Sequence, residues 1–166
     1  MLNYPTRKCW LKYNRPYVEN TTISFECETP SVDEFRSRIE NISKKYPYIV
    51  MLDDDEIVGY AYAGRFKGRK AYDWCVETTI YVREDKKGGG YGKKLYLELE
   101  KRLKKQNILN MYACIAYTDN VDEHLTNNSM QFHEHMGVLG LSVHLKKCGY
   151  KFDKWYDMIW MEKFYR

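Results

Sequence analysis

Apolar positions along this chain change period several times, and each change marks an element. Ser31 with Glu34 three residues on reads as a capping box, and Val32, Phe35, Ile39 and Ile42 follow at helical spacing. Tyr46-Pro47 ends that helix, because the residue before a proline is pushed out of the helical region. Residues 49–52 and 57–63 then read as two strands around a polar turn at 53–56, with Gly59 and Gly64 marking bends or bulges. A longer strand is predicted over 71–82. Its Val76, Thr78, Ile80 and Val82 share one face; Cys75, Glu77, Thr79 and Tyr81 share the other.

Gly88-Gly89-Gly90-Tyr91-Gly92 interrupts the pattern, and a helix follows to about Gln106. Leu95, Leu99 and Leu103 form its buried stripe, with Glu98/Arg102 and Glu100/Lys104 as surface pairs. Residues 108–117 read as another strand. Strand, helix, strand at this spacing is a crossover unit, so the two strands should be parallel. A polar loop at 118–126 leads to a short helix over 128–136 that stops at Gly137. Strands at 141–148 and 155–163, joined through 149–154, form a terminal antiparallel hairpin. Residues 17–25 read as the end of a helix and an extended entry. The whole is one α/β domain with a mixed sheet.

Composition narrows the class. A chain of 166 residues with 44% apolar and 30% charged residues is one globular domain. No apolar run approaches the ~20 residues of a membrane span. Met1 to Pro5 lacks the apolar stretch of a secretion signal, so a cytoplasmic protein with no membrane partner is expected. Five scattered cysteines, none in a Cys-x-x-Cys pair, argue against a disulfide framework. Net charge is +4, with bases and acids alternating except at Arg65 to Lys70 and Lys86-Lys87. Such local clusters suit a small polyphosphate as well as a nucleic acid, and no stripe of basic and stacking residues favours the latter.

Candidate chemistry centres on the glycines. A strand feeds a glycine-rich turn and the turn feeds a helix, so main-chain N–H groups can converge on an anion beside a positive dipole end. The Walker spacing fails, because Gly88 to Gly92 is one residue short and Lys94 stands where Ser or Thr belongs. The dinucleotide fingerprint begins at Gly88 and Gly90 but breaks at Lys93. The pattern Gln/Arg-x-x-Gly-x-Gly/Ala fits over Lys87 to Gly92, with lysine at its first position. A flexible surface turn is the competing reading of the loop alone.

Wider matches extend the pattern. Tyr17-Val18-Glu19-Asn20-Thr21, Val58 to Gly64, Ala71-Tyr72-Asp73-Trp74, Glu77 to Val82, Gly90-Tyr91-Gly92, Asn128-Ser129 with His133, and Gly149-Tyr150-Lys151-Phe152 occur in order. With these stretches the chain resembles the GNAT N-acetyltransferase superfamily, in particular its phosphinothricin acetyltransferase branch, from about Tyr17 to Lys163. The resemblance implies a GNAT fold over residues 1–166: a mixed, mostly antiparallel twisted sheet flanked by helices, with a parallel pair splayed at the cofactor cleft. It also implies a first strand, which residues 1–16 do not show, and an aromatic where Val138 stands.

The implied function is direct acetyl transfer from acetyl-CoA, with no metal, to a small-molecule amine such as an amino acid or analogue. Glu77 would be the general base and His133, as imidazolium, the general acid. A surface carboxylate and a packing histidine are the plainer readings of those two residues. Main-chain groups at Tyr81 and Val82 would align the pantetheine arm. Lys87, Gly88, Gly89, Gly90, Tyr91, Gly92 and Lys93 would hold the pyrophosphate, and Asn128, with Ser129, would bind the pantetheine arm. Arg65, Lys67, Tyr72 and Trp74 would build the acceptor pocket, and the chain would be a homodimer. A coenzyme A binder without catalysis and a protein acetyltransferase are the alternatives.

Overall fold

The computed structural model describes residues 14–137 and 141–165. The expectations placed on residues 1–13 and on Val138 lie outside the described residues. In chain order, α1 covers helical residues 14–20, α2 is Val32–Ser43, β1 Tyr48–Asp53 and β2 Glu56–Arg65. They are followed by β3 Cys75–Val82, α3 Tyr91–Lys105, β4 Asn110–Tyr117, α4 Asn128–His135, β5 Leu141–Lys151 and β6 Lys154–Phe164. Among the described residues six strands form one sheet in the order β1-β2-β3-β4-β6-β5, and of these only β3 and β4 run parallel. Among the described residues no helix is long and apolar enough to cross a membrane.

The main core lies where α3 packs on the sheet. Leu95, Leu99 and Leu103 are fully buried against Ala61, Val76, Met111 and Ile159. The i,i+4 spacing that puts the three leucines on one face is the spacing that lets the helix lie across strands. Gly59 is needed for closeness: a Cβ there would sit 2.7 Å from the Tyr81 carbonyl oxygen. The expected bulge is next to it, since Met51 pairs with Gly59 but Leu52 with Ile57.

Several boundaries differ from the pattern-based reading. β3 begins at Cys75, because Lys70–Tyr72 is a 3-10 turn closed by Tyr72 N–H to Arg69 O and Asp73 N–H to Lys70 O. Lys45 holds Asp73 at 3.0 Å, anchoring that turn to the far end of α2. Of the capping box, the Ser31 hydroxyl accepts from Glu34 N–H at 3.2 Å, while the Glu34 carboxylate reaches forward to Arg38 at 2.6 Å. The terminal hairpin turns in two residues, Phe152 and Asp153, both left-handed, so its strands run on through residues 149–151. Glu100 is not a surface residue. It is buried between Lys104 at 2.8 Å and Lys163 at 3.0 Å, and Lys163 also donates to Met136 O at 2.7 Å. This junction ties α3, β6 and the end of α4 together.

Candidate active site

The site grows from the point where the parallel pair comes apart. β3 and β4 pair only over Cys75↔Asn110, Val76↔Met111 and Glu77↔Tyr112. The Thr78 hydroxyl then donates to Tyr112 O at 3.1 Å, and beyond it the strands diverge. A cavity of about 540 Å³ opens at this gap, lined on β3 by Glu77 to Tyr81 and on β4 by Ala113 to Ala116. A strand edge without its neighbour exposes main-chain donors and acceptors to whatever enters.

Register decides which residues face the gap. Arg83 N–H donates to Val58 O at 2.8 Å, which makes Gly59–Val82 a non-hydrogen-bonded pair. Val82 therefore turns its main-chain groups away from β2, and by alternation Ile80 does the same. The Val82 carbonyl accepts from the Tyr17 hydroxyl. Tyr81 turns its main chain toward β2 rather than into the gap, where the main chain of Ile80 and Val82 faces; the Tyr81 side chain lines the cavity.

The glycine loop stands at the start of α3. Gly90 is the N-cap residue at φ 77°, and Gly88 has φ 82°, both in the left-handed region that favours glycine. No side chain caps the helix and its first turn holds no acidic residue; Lys93 and Lys94 are there instead, both exposed. Leading N–H groups of a helix have no partner within it, and its positive end normally attracts acids. An uncapped, base-flanked start is suited to an anion. The loop is braced from the side: Lys86 Nζ lies 2.8 Å from Asp53, and Tyr91 also hydrogen-bonds that carboxylate. Exposed Lys87 has its ammonium 5.0 Å from the centre of the Tyr17 ring.

Glu77 is half-buried in the cavity wall. Burial pushes its carboxyl above the ordinary glutamate range, with Lys67 opposing the shift. His133 reaches the same cavity from α4 and is 7% exposed. It sits edge-on to Tyr96 and Phe132, with centroids at 5.8 and 5.3 Å. Burial lowers its pKa to about 4, so at neutral pH it is a neutral imidazole, not the expected imidazolium. Its Nδ1 is buried with no hydrogen-bond partner among the described residues. Ser129 lines the cavity, whereas Asn128 is exposed and lies outside its wall.

The four residues expected to bind the acceptor depart furthest from expectation. None of Arg65, Lys67, Tyr72 and Trp74 lines the cavity. Arg65 is exposed and bonds the Gly68 carbonyl; Tyr72 and Trp74 are 38% and 55% exposed. Lys67 lies over the Phe66 and Trp160 rings, close enough to act on Glu77 through charge alone. The wall is instead built by Phe35 and Arg38 of α2, the connection residues Ile23 to Glu26, and Tyr48, Tyr60 and Tyr62. The three tyrosine rings stack nearly parallel, with centroids 5.1 to 6.4 Å apart. Arg38 is bound on both sides by Glu26 and Glu34. The period-two pair Tyr60-x-Tyr62 was the available sequence signal for this wall; Arg38 carried none.

A splayed parallel pair, an uncapped helix start after a glycine loop and a half-buried carboxylate between them define an acyl-CoA-dependent transferase fold. Residues 7–160 match the Acetyltransferase (GNAT) domain family, and the chain belongs to that family. It is 32% identical over 149 residues to phosphinothricin N-acetyltransferase of Streptomyces viridochromogenes, covering 89% of this chain and 77% of that protein. It is 30% identical over 118 residues to the L-methionine sulfoximine/L-methionine sulfone acetyltransferase of Pseudomonas aeruginosa, covering 70% and 64%. The GNAT superfamily phosphinothricin acetyltransferase of Sinorhizobium meliloti, solved in complex with AcCoA, superposes with TM-score 0.87 at 30% identity, over 98% of this chain and 84% of that one.

Proposed function

We propose that this N-acetyltransferase moves the acetyl group of acetyl-CoA directly to the primary amine of a small molecule, with an amino acid or analogue as acceptor. One observation carries the reading: Glu77 is half-buried at the mouth of the β3–β4 gap, in one cavity with His133. The main-chain N–H groups from Gly88 to Lys93 bind the pyrophosphate. The main-chain groups of Ile80 and the N–H of Val82 pair with the pantetheine arm, and Ser129 lies beside it. The unpartnered Nδ1 of His133 fits a polar group of the incoming substrate.

An acceptor amine is mostly protonated at neutral pH and must lose a proton to attack. Glu77, with its pKa raised by burial, takes that proton directly or through a water. The amine nitrogen bonds to the thioester carbonyl carbon and sheds its second proton to solvent, the C–S bond breaks, and the electron pair leaves with sulfur. Neutral His133 donates a hydrogen bond to that sulfur, and solvent supplies the proton that completes the thiol. Exposed Val143, Leu145, Tyr150 and Trp155 on β5 and β6 support a homodimer, which light scattering would test.

Thiol release from acetyl-CoA across an amine panel tests the reading, with Glu77→Gln as control. Turnover that falls by about 10²–10⁴-fold in the variant, with coenzyme A still bound, is the expected result. Equal turnover in both proteins removes Glu77 from the chemistry. Binding without turnover on any amine would favour a coenzyme A binder instead.

A further inference from the structure

The segment from residue 21 to 31, between α1 and α2, belongs to no helix or strand. Yet its residues Ile23 to Glu26 form part of the cavity wall. Main-chain carbonyls in such a segment need partners from elsewhere. Much of the answer is one side chain. Lys151, at the end of β5, is 8% exposed, and its ammonium donates to Val18 O at 2.6 Å, Thr21 O at 2.8 Å and Ser24 O at 2.8 Å. The three donors of the ammonium are thereby matched by three acceptors. Val18 lies in the last turn of α1, whose negative dipole end welcomes a cation.

The neighbouring strand residue presses on the same wall. A Cβ at Gly149 would lie 2.4 Å from Phe25 Cε1, so the Phe25 ring rests directly on the β5 backbone. From the other side His124 contributes two links: its carbonyl accepts from Thr22 N–H at 3.1 Å and its Nδ1 lies 2.9 Å from Asn20 O. The wall is therefore pinned from the terminal hairpin and the 118–126 loop, far in sequence from α1.

We propose that Lys151 is a positioning residue for the acceptor amine: through its three carbonyl bonds it sets the place of the residue 21–26 wall, and so controls acceptor binding without touching the reaction or the cofactor. The inference rests on the acceptor site proposed above. Arginine cannot replace it, because a planar fork does not match three converging carbonyls as a compact ammonium does.

The test measures steady-state kinetics of wild type, Lys151→Met, Lys151→Arg and Gly149→Ala, with L-methionine sulfone and L-phosphinothricin as acceptors. Coenzyme A titration and amide exchange over residues 18–26 accompany each protein. Lost carbonyl partners should raise the amine KM about tenfold in both Lys151 variants. Acetyl-CoA KM and coenzyme A affinity should stay at wild-type values, and exchange over 18–26 should quicken. Gly149→Ala, which displaces Phe25 and leaves Lys151 in place, should show the same split and keeps the test open if Lys151→Met does not fold. An unchanged amine KM in the folded variants, or amine and acetyl-CoA KM rising together, overturns the proposal. If wild type turns over neither acceptor, the acceptor reading itself fails. Exchange over 18–26 then still decides whether Lys151 holds the segment, and unaltered exchange would show that it does not.

Discussion

The two sides of the cavity are built on different principles. On the α3 side the wall is shaped by the backbone: left-handed Gly88 and Gly90, an uncapped helix start and the open edge of β3. On the opposite side it is shaped by side chains from four separate stretches: Phe25 of the connection, Phe35 and Arg38 of α2, Tyr48 of β1 and the Tyr60/Tyr62 pair of β2. A backbone site is specified by a few consecutive residues and tolerates change around it. A side-chain wall is specified by packing among distant residues, so it can vary while the backbone side stays fixed. Glu77 and His133 stand where the two sides meet.

That contrast can be broken at its centre or at either side. The largest effect belongs to Glu77→Gln, which should lower kcat/KM by about 10²–10⁴-fold. The acidic limb of the wild-type pH–rate profile should lie above the ordinary glutamate range, because burial raises the Glu77 pKa, and that limb should vanish in the variant.

Next is the acid stability set by His133, whose pKa falls from 6.5 to about 4 in the folded chain. Between those values the unfolded chain holds the extra proton and the folded chain does not. This stability is complete above pH 6.5 and drains away as pH falls toward 4. At about 1.4 kcal/mol per unit the loss is about 3 kcal/mol. Denaturant titrations across that range should show the slope in wild type and its loss in His133→Gln.

The smallest effect isolates the backbone side. Gly90→Val places a β-branched residue at φ 77°, where no neighbouring atom is in the way but the conformation itself is strained by about 1–2 kcal/mol. Acetyl-CoA KM should rise about tenfold while amine KM holds. Equal rises in both would mean that the sides are not separable.

The same contrast explains what could be read from the chain alone. Local signals were legible: the Leu95, Leu99, Leu103 stripe, the parallel crossover around α3, the glycine loop and the alternation that places Glu77. Each depends on neighbours a few residues away. What depended on remote partners was hidden. Asp73 turns the chain because Lys45 waits for it, so β3 starts four residues later than its β-rich composition suggests. Glu100 is buried because Lys163 comes from the last strand. Arg65, the last residue of β2, and Trp74, just before β3, are both exposed and outside the cavity wall, and α2 supplies the cavity's arginine instead.

Coenzyme A titrated into the purified protein, followed by calorimetry and by thermal shift, tests the central claim most directly. Saturable heat at one site per chain, with a rise in melting temperature that Gly90→Val weakens, is the expected result. A well-folded protein that gives neither heat nor shift would contradict it.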